Sequence, residues 1–122
     1  MARISKACPM FASADIHRSV AWYRDRLGFD VERDRSHYGI VRRDMVEVPF
    51  RPACGDHDGA GGAAYFRVED VDGLYRDMRG AAEGGAIAPP SERRGGMREF
   101  DVRDPDGNLL RFGRPSAGPT MA

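Results

Sequence analysis

Few side chains in this sequence could do chemistry, and they are scattered. Histidines stand at 17, 37 and 57, and cysteines at 8 and 54. Only His57 has other donors close by in sequence, since the run CGDHDG sets it beside Cys54, Asp56 and Asp58. A divalent ion needs three or more donors of the right softness and spacing, and this cluster has no regular ligand spacing. His17 falls early on a predicted helix and His37 in a predicted turn, where a solvated imidazole is the simplest reading. Glu47, Cys8 and Tyr65 could each move a proton or attack a substrate. None has the paired second group that acid–base or nucleophilic catalysis requires. The remaining candidate is Arg111 in RDPDGNLLRFG (103–113), a permanent cation whose planar fork suits Glu47 or an anionic ligand group.

Those residues must be held by strands and helices that the sequence punctuates clearly. ISKACPMFAS (4–13) reads as a strand, and Pro9 makes it an edge or a segment crossing to another subunit. A helix follows from about Asp15, with Ile16, Val20, Tyr23 and Leu27 on one face. Ser13 or Asp15 caps its start, and Gly28 suits the left-handed residue past its end. FDVERD, YGIVRR and MVEVPF read as three short strands, and 51–62 as a Gly- and Asp-rich loop. The order then repeats: AAYFRVED as strand, Val71, Tyr75, Met78 and Ala82 as a helix face, then AIAPPSE, MREFDVRD and NLLRFG.

The chain is therefore β-α-β-β-β written twice, an α+β fold. Neither half could bury its sheet face alone, so the two modules should pair into a curved mixed sheet with a central cleft and helices outside. The modules span about 1–50 and 63–113 of a single domain (1–113), and 114–122 reads as a flexible tail. Tyr38, Phe50, Tyr65 and Phe100 lie on or beside strands and are expected to line the cleft with Glu47 and Arg111.

Lys and Arg (19) balance Asp and Glu (19), which removes the broad field that nucleic acid or an anionic membrane would need. No run is apolar enough to span a bilayer, and the N-terminus lacks the pattern of a signal peptide. Two cysteines fit thiols in a reducing cytoplasm. A soluble cytoplasmic domain is expected.

With ADIHRSVAWYRDRLGF, VEDVDGLYRDM and MREFDVRDPDGNLLRFG in this order, the sequence resembles the vicinal-oxygen-chelate superfamily of glyoxalases, bleomycin-resistance proteins and dioxygenases. The likeness covers about residues 4–113. REF followed by RDPDGN, with ACP in the first strand, is most similar to the bleomycin-resistance branch. In the superfamily's enzymes a divalent metal is held by inward residues of four strands, and the resemblance puts those positions at Cys8, Glu47, Ala63 and Arg111. Ala63 offers no donor and Arg111 would repel the ion. The resemblance then implies a metal-free, drug-sequestering homodimer associated with antibiotic resistance, without a cofactor. Its first strand would be exchanged between subunits at Pro9, and its interface clefts would bind a small molecule. The relatives that trap cationic drugs are markedly acidic and commonly carry an aromatic ring where this chain has Gly95. Alternatives stay open: a metal-dependent glyoxalase- or dioxygenase-like lyase or isomerase using Cys8, Glu47 and His57, a metal-free acid–base enzyme, or a structural dimer module.

Overall fold

The computed structural model describes residues 1–55 and 61–116. Its first module runs β1 (Phe11–Ser13), α1 (Ile16–Leu27), β2 (Asp30–Arg35), β3 (Tyr38–Arg43) and β4 (Val46–Pro52). The second runs β5 (Ala63–Arg67), α2 (Val71–Asp77), β6 (Ala86–Ile87), β7 (Ser91–Arg93), β8 (Met97–Arg103) and β9 (Leu109–Pro115). Each module makes one mixed sheet, ordered β1-β4-β3-β2 in the first and β5-β9-β8-β6 in the second, with β7 also on β8. In both sheets the parallel pair is the one that brackets the helix crossover, β1 with β4 and β5 with β9.

Local chemistry accounts for the helices. Asp15 caps α1 by accepting from the Arg18 backbone N–H, and Gly28 ends it at φ +76°, the left-handed conformation that costs glycine least. Asp70 caps α2 the same way, accepting from Gly73 N at 2.9 Å. The second helix is shorter than its apolar spacing predicts: it stops at Asp77, and a 3-10 turn covers Arg79–Ala82. Gly73 and Gly80 inside that stretch weaken the α-helix, while Met78 and Ala81 stay buried. AIAPPSE, expected as one strand, is split into β6 and β7, both antiparallel to β8. Pro89 and Pro90 between them have no N–H to give the ladder. Of the tail expected from 114 to 122, the first residues are tied down, because β9 continues to Pro115 and Ser116 N donates to Gly96 O at 2.8 Å; 117–122 lie outside the described residues.

One apolar core serves both modules, with Tyr23, Leu27, Val41, Val48 and Phe50 from the first and Met78, Phe100, Val102, Leu110 and Phe112 from the second. The DPDG turn fastens the second module onto α1. Asp104 accepts from the buried Tyr23 hydroxyl at 2.8 Å, and Asp106 accepts from Ser19 at 3.0 Å and Arg18 at 2.8 Å. Asn108, fully buried, donates to Ala12 O (3.0 Å) and Asp104 Oδ2 (2.9 Å) and accepts from Gly62 N (2.7 Å). Burial, reinforced by the Asp104 charge, pushes the Tyr23 phenol well above its ordinary value, so it stays a donor.

Candidate functional site

Strand alternation decides which side chains face the helices and which face away. On β8, Phe100 and Val102 pack toward α2, where Phe100 meets the Tyr75 ring edge-on at 5.7 Å between centroids. Glu99 and Asp101 therefore take the opposite, open face. Register carries that face across the sheet, pairing Asp101 with Arg111, Glu99 with Gly113, and Arg111 in turn with Tyr65.

The open face of the second module is a connected polar network. Arg111 grips Asp101 with two parallel bonds, Nε to Oδ1 at 2.8 Å and Nη2 to Oδ2 at 3.0 Å. Arg93 reaches from β7 to the same carboxylate at 3.0 Å and lies 3.5 Å from Glu99. Tyr65 crosses β9 and donates its hydroxyl to Glu99 Oε2 at 2.7 Å. That crossing requires glycine at 113, since a Cβ there would overlap the Tyr65 hydroxyl and come within 2.7 Å of Glu99 Cγ. The Arg67 guanidinium stands 5.9 Å from the centre of the Tyr65 ring. The Arg111 fork, aided by Arg93, holds Asp101 below the usual carboxylate range. Partial burial, then the bond to Glu99, raises the Tyr65 phenol, so at neutral pH it keeps its proton and cannot serve as a base.

The first module contributes Glu47 on β4, which accepts from Lys6 at 2.8 Å and Arg42 at 3.0 Å. The Lys6 bond is the main reason its carboxyl sits below the ordinary value. A cavity of about 340 Å³ joins the modules here, lined by Cys8, Pro9 and Glu47 on one side and Ala64, Tyr65 and Phe66 on the other. A larger groove of about 690 Å³ lies between the β3–β4 turn and α2, with Met45, Val68, Leu74 and Met78 among its walls.

Of the residues singled out from sequence, Cys8, Glu47 and Tyr65 thus share one cavity, with Arg111 beside Tyr65. Tyr38 is 42% exposed at the start of β3. Two expectations are corrected. Phe50 and Phe100 are core residues, Phe50 packing on Tyr23 at 5.0 Å and Phe100 stacked on Phe112 at 5.1 Å, because their strand parity turns them toward the helices. Glu47 and Arg111 do not pair, since Glu47 is engaged by Lys6 and Arg42, and Arg111 by Asp101. His17 binds Asp34 on the surface, and His57 lies outside the described residues. Asp101, Arg93 and Arg67 were missed, although alternation in MREFDVRD and the strand glycine at 113 were the available signals.

A divalent ion does not fit the four positions that the superfamily's enzymes use. Glu47 is held by two cations, Ala63 has no donor, and Arg111 puts a guanidinium at the fourth corner. Among the described residues no group of three His, Cys, Asp or Glu could hold a metal. Nor is any helix among them long and apolar enough to cross a membrane.

Solved structures with this fold include a bleomycin-binding protein from bleomycin-producing Streptomyces verticillus, in complex with copper(II)-bleomycin. It is 28% identical, with TM-score 0.82 over 92% of this chain and 97% of its own. A bleomycin-binding protein complexed with bleomycin is 25% identical, with TM-score 0.78 over 91% and 98%. The bleomycin resistance determinant encoded on transposon Tn5 shares the fold at 24% identity, with TM-score 0.78 over 93% and 100%. No functionally curated protein matches the chain. Residues 8–112 match the Glyoxalase/Bleomycin resistance protein/Dioxygenase superfamily, and the chain belongs to it.

Proposed function

We propose that this chain is a homodimeric, metal-free protein that binds and sequesters a small molecule in the cytoplasm, as bleomycin-resistance proteins do. The observation that carries the reading is the likeness, along almost the whole chain, to a bleomycin-binding protein holding its drug. The replacement of metal-ligand positions by Ala63 and Arg111 supports a binder over a glyoxalase-like lyase. Protection from an antibiotic would be the physiological result.

The β4 edge supports the dimer. β1 pairs with β4 only from Phe11 to Ser13, opposite Phe50 to Pro52. On that side Val46–Pro49 has no ladder partner among the described residues, while residues 1–7 run exposed, with Ile4 91% accessible. An open strand edge beside an exposed arm that joins no strand, touching it through the Lys6–Glu47 bond, is the arrangement that strand exchange satisfies. A partner's arm entering there would complete the cavity that Cys8 and Glu47 line.

Three measurements on the full chain, purified without chelator or histidine tag, test this. Sedimentation should give a dimer, and deletion of residues 1–7 should shift it toward monomer. Metal content should stay far below one equivalent after incubation with nickel, manganese or zinc. A thermal-shift screen of small molecules should yield a stabilising ligand. A stoichiometric metal, or a monomer with no ligand, refutes the reading.

A further inference from the structure

The open face also constrains the charge of what it binds, an inference that rests on the binding reading above. By register, Arg67, Arg93, Arg103 and Arg111 stand on the open face of the second module against Glu99 and Asp101. The corresponding face of the first module sets Arg33, Arg35, Arg42 and Arg51 against Asp30 and Glu47, with Lys6 on Glu47 and Glu32 held by Arg42 at 2.7 Å. Whichever copy supplies the opposite wall, cations outnumber carboxylates on these faces among the described residues, with or without Arg51.

On the second module's face both carboxylates, Glu99 and Asp101, are already committed. Asp101 takes three hydrogen bonds from Arg111 and Arg93, and Glu99 takes the Tyr65 hydroxyl with Arg93 and Arg111 nearby. A cationic ligand would have to break one of these pairs and leave a guanidinium unmatched. Donors remain, because a guanidinium carries five N–H groups and Arg111 spends only its Nε and Nη2 edge on Asp101, with its side chain 40% exposed. Beside it Tyr65 is 46% exposed.

We propose that this face takes an aromatic anion, a carboxylate or sulfonate on a flat ring system, with Arg111 and Arg67 as charge partners and the Tyr65 ring as the apolar contact. Placing a ligand anion against the outer edge of Arg111 extends the charge-assisted network instead of dismantling it.

The test is calorimetric titration of the full chain with 2-naphthoate and with 2-naphthylmethylammonium, which share a ring and differ in charge. Naphthoate should bind about tenfold tighter or better, as one charge-assisted hydrogen bond implies. Arg111→Gln should weaken naphthoate by about tenfold and leave the ammonium within about threefold, while Arg111→Lys, keeping charge without the fork, should fall between. Arg67→Gln serves as a second variant should Arg111→Gln melt below the assay temperature, and it should weaken naphthoate by about threefold or more. A tighter ammonium, or naphthoate affinity indifferent to these substitutions, overturns the anion assignment alone. Binding of neither probe overturns the anion assignment, and the thermal-shift screen then decides the binding reading on its own.

Discussion

Asn108→Ala is the sharpest test of how the two modules are held. The Asn108 side chain makes three bonds, to Ala12 O in the first module and to Gly62 N and Asp104 in the second, and it is fully buried. Asp104 keeps Tyr23 and the backbone N–H groups of Asp106 and Asn108 after truncation. The Ala12 carbonyl loses its partner inside the core, and an orphaned buried polar group costs about 1–3 kcal/mol, while the exposed Gly62 N–H can turn to water. With the lost packing, the expected destabilisation is about 3–5 kcal/mol, a large share of the roughly 5–15 kcal/mol typical of a domain. A water entering the vacated space would hold the loss to no less than about 2 kcal/mol. Urea unfolding followed by circular dichroism gives the number directly, and Tm should fall by about 10–20 °C. Asn108→Asp provides the control. It would set a carboxylate against Asp104 Oδ2 and Ala12 O, so at pH 7 it should be at least as damaging as alanine. A loss under about 1 kcal/mol for Asn108→Ala, at an unchanged m value, would refute this account of the clasp.

Other consequences are as direct. Gly113→Ala should cost about 1–3 kcal/mol by overpacking and about 1 kcal/mol less in a Tyr65→Ala background; equal costs in a double-mutant cycle would mean the two do not compete for space. The cycle of Glu47→Gln with Arg111→Met should show coupling near zero, because each residue has its own partners; a coupling of about 1 kcal/mol or more would restore a direct pair. The Arg111 bonds hold Asp101 below its ordinary value near 3.8, so the unfolded state binds that proton more readily. Their stabilisation is present above about pH 4 and is lost as pH falls through the folded-state value. Arg111→Gln should therefore cost about 0.5–1 kcal/mol at pH 7, discounted for exposure, and the gap from wild type should close toward pH 2. A gap constant with pH in urea titrations would rule that linkage out.

Much of the fold was legible because the sequence states its punctuation chemically. Asp15 and Gly28 delimit α1, and Asp104-Pro105-Asp106-Gly107 delimits the last hairpin. The second helix was less legible, since apolar spacing alone does not register what Gly73 and Gly80 cost. The site was harder to read for a different reason. Aromatic residues on strands look like ligand contacts until their parity is assigned, and parity for Phe100 depended on seeing that Glu99 and Asp101 share the face of Arg111. That could have been read off the hairpin: counting outward from the turn pairs Arg103 with Leu109 and so Asp101 with Arg111. Which strand β4 would leave half unpaired could not be counted this way, because it depends on where β1 departs from its neighbour in space.

The passage of Tyr65 over Gly113 also bears on how relatives of this protein vary. The ring and any side chain at 113 compete for one volume, so the two positions cannot drift independently. Lineages that keep a long hydroxylated residue at 65 should keep glycine at 113, and those that gain a side chain at 113 should have shortened the residue at 65. Position 99 should follow, remaining an acceptor where the tyrosine persists and losing its carboxylate where it does not. Such a correlated triplet would mark, in sequence alone, which members of the superfamily share this network and which have rebuilt the face for another ligand.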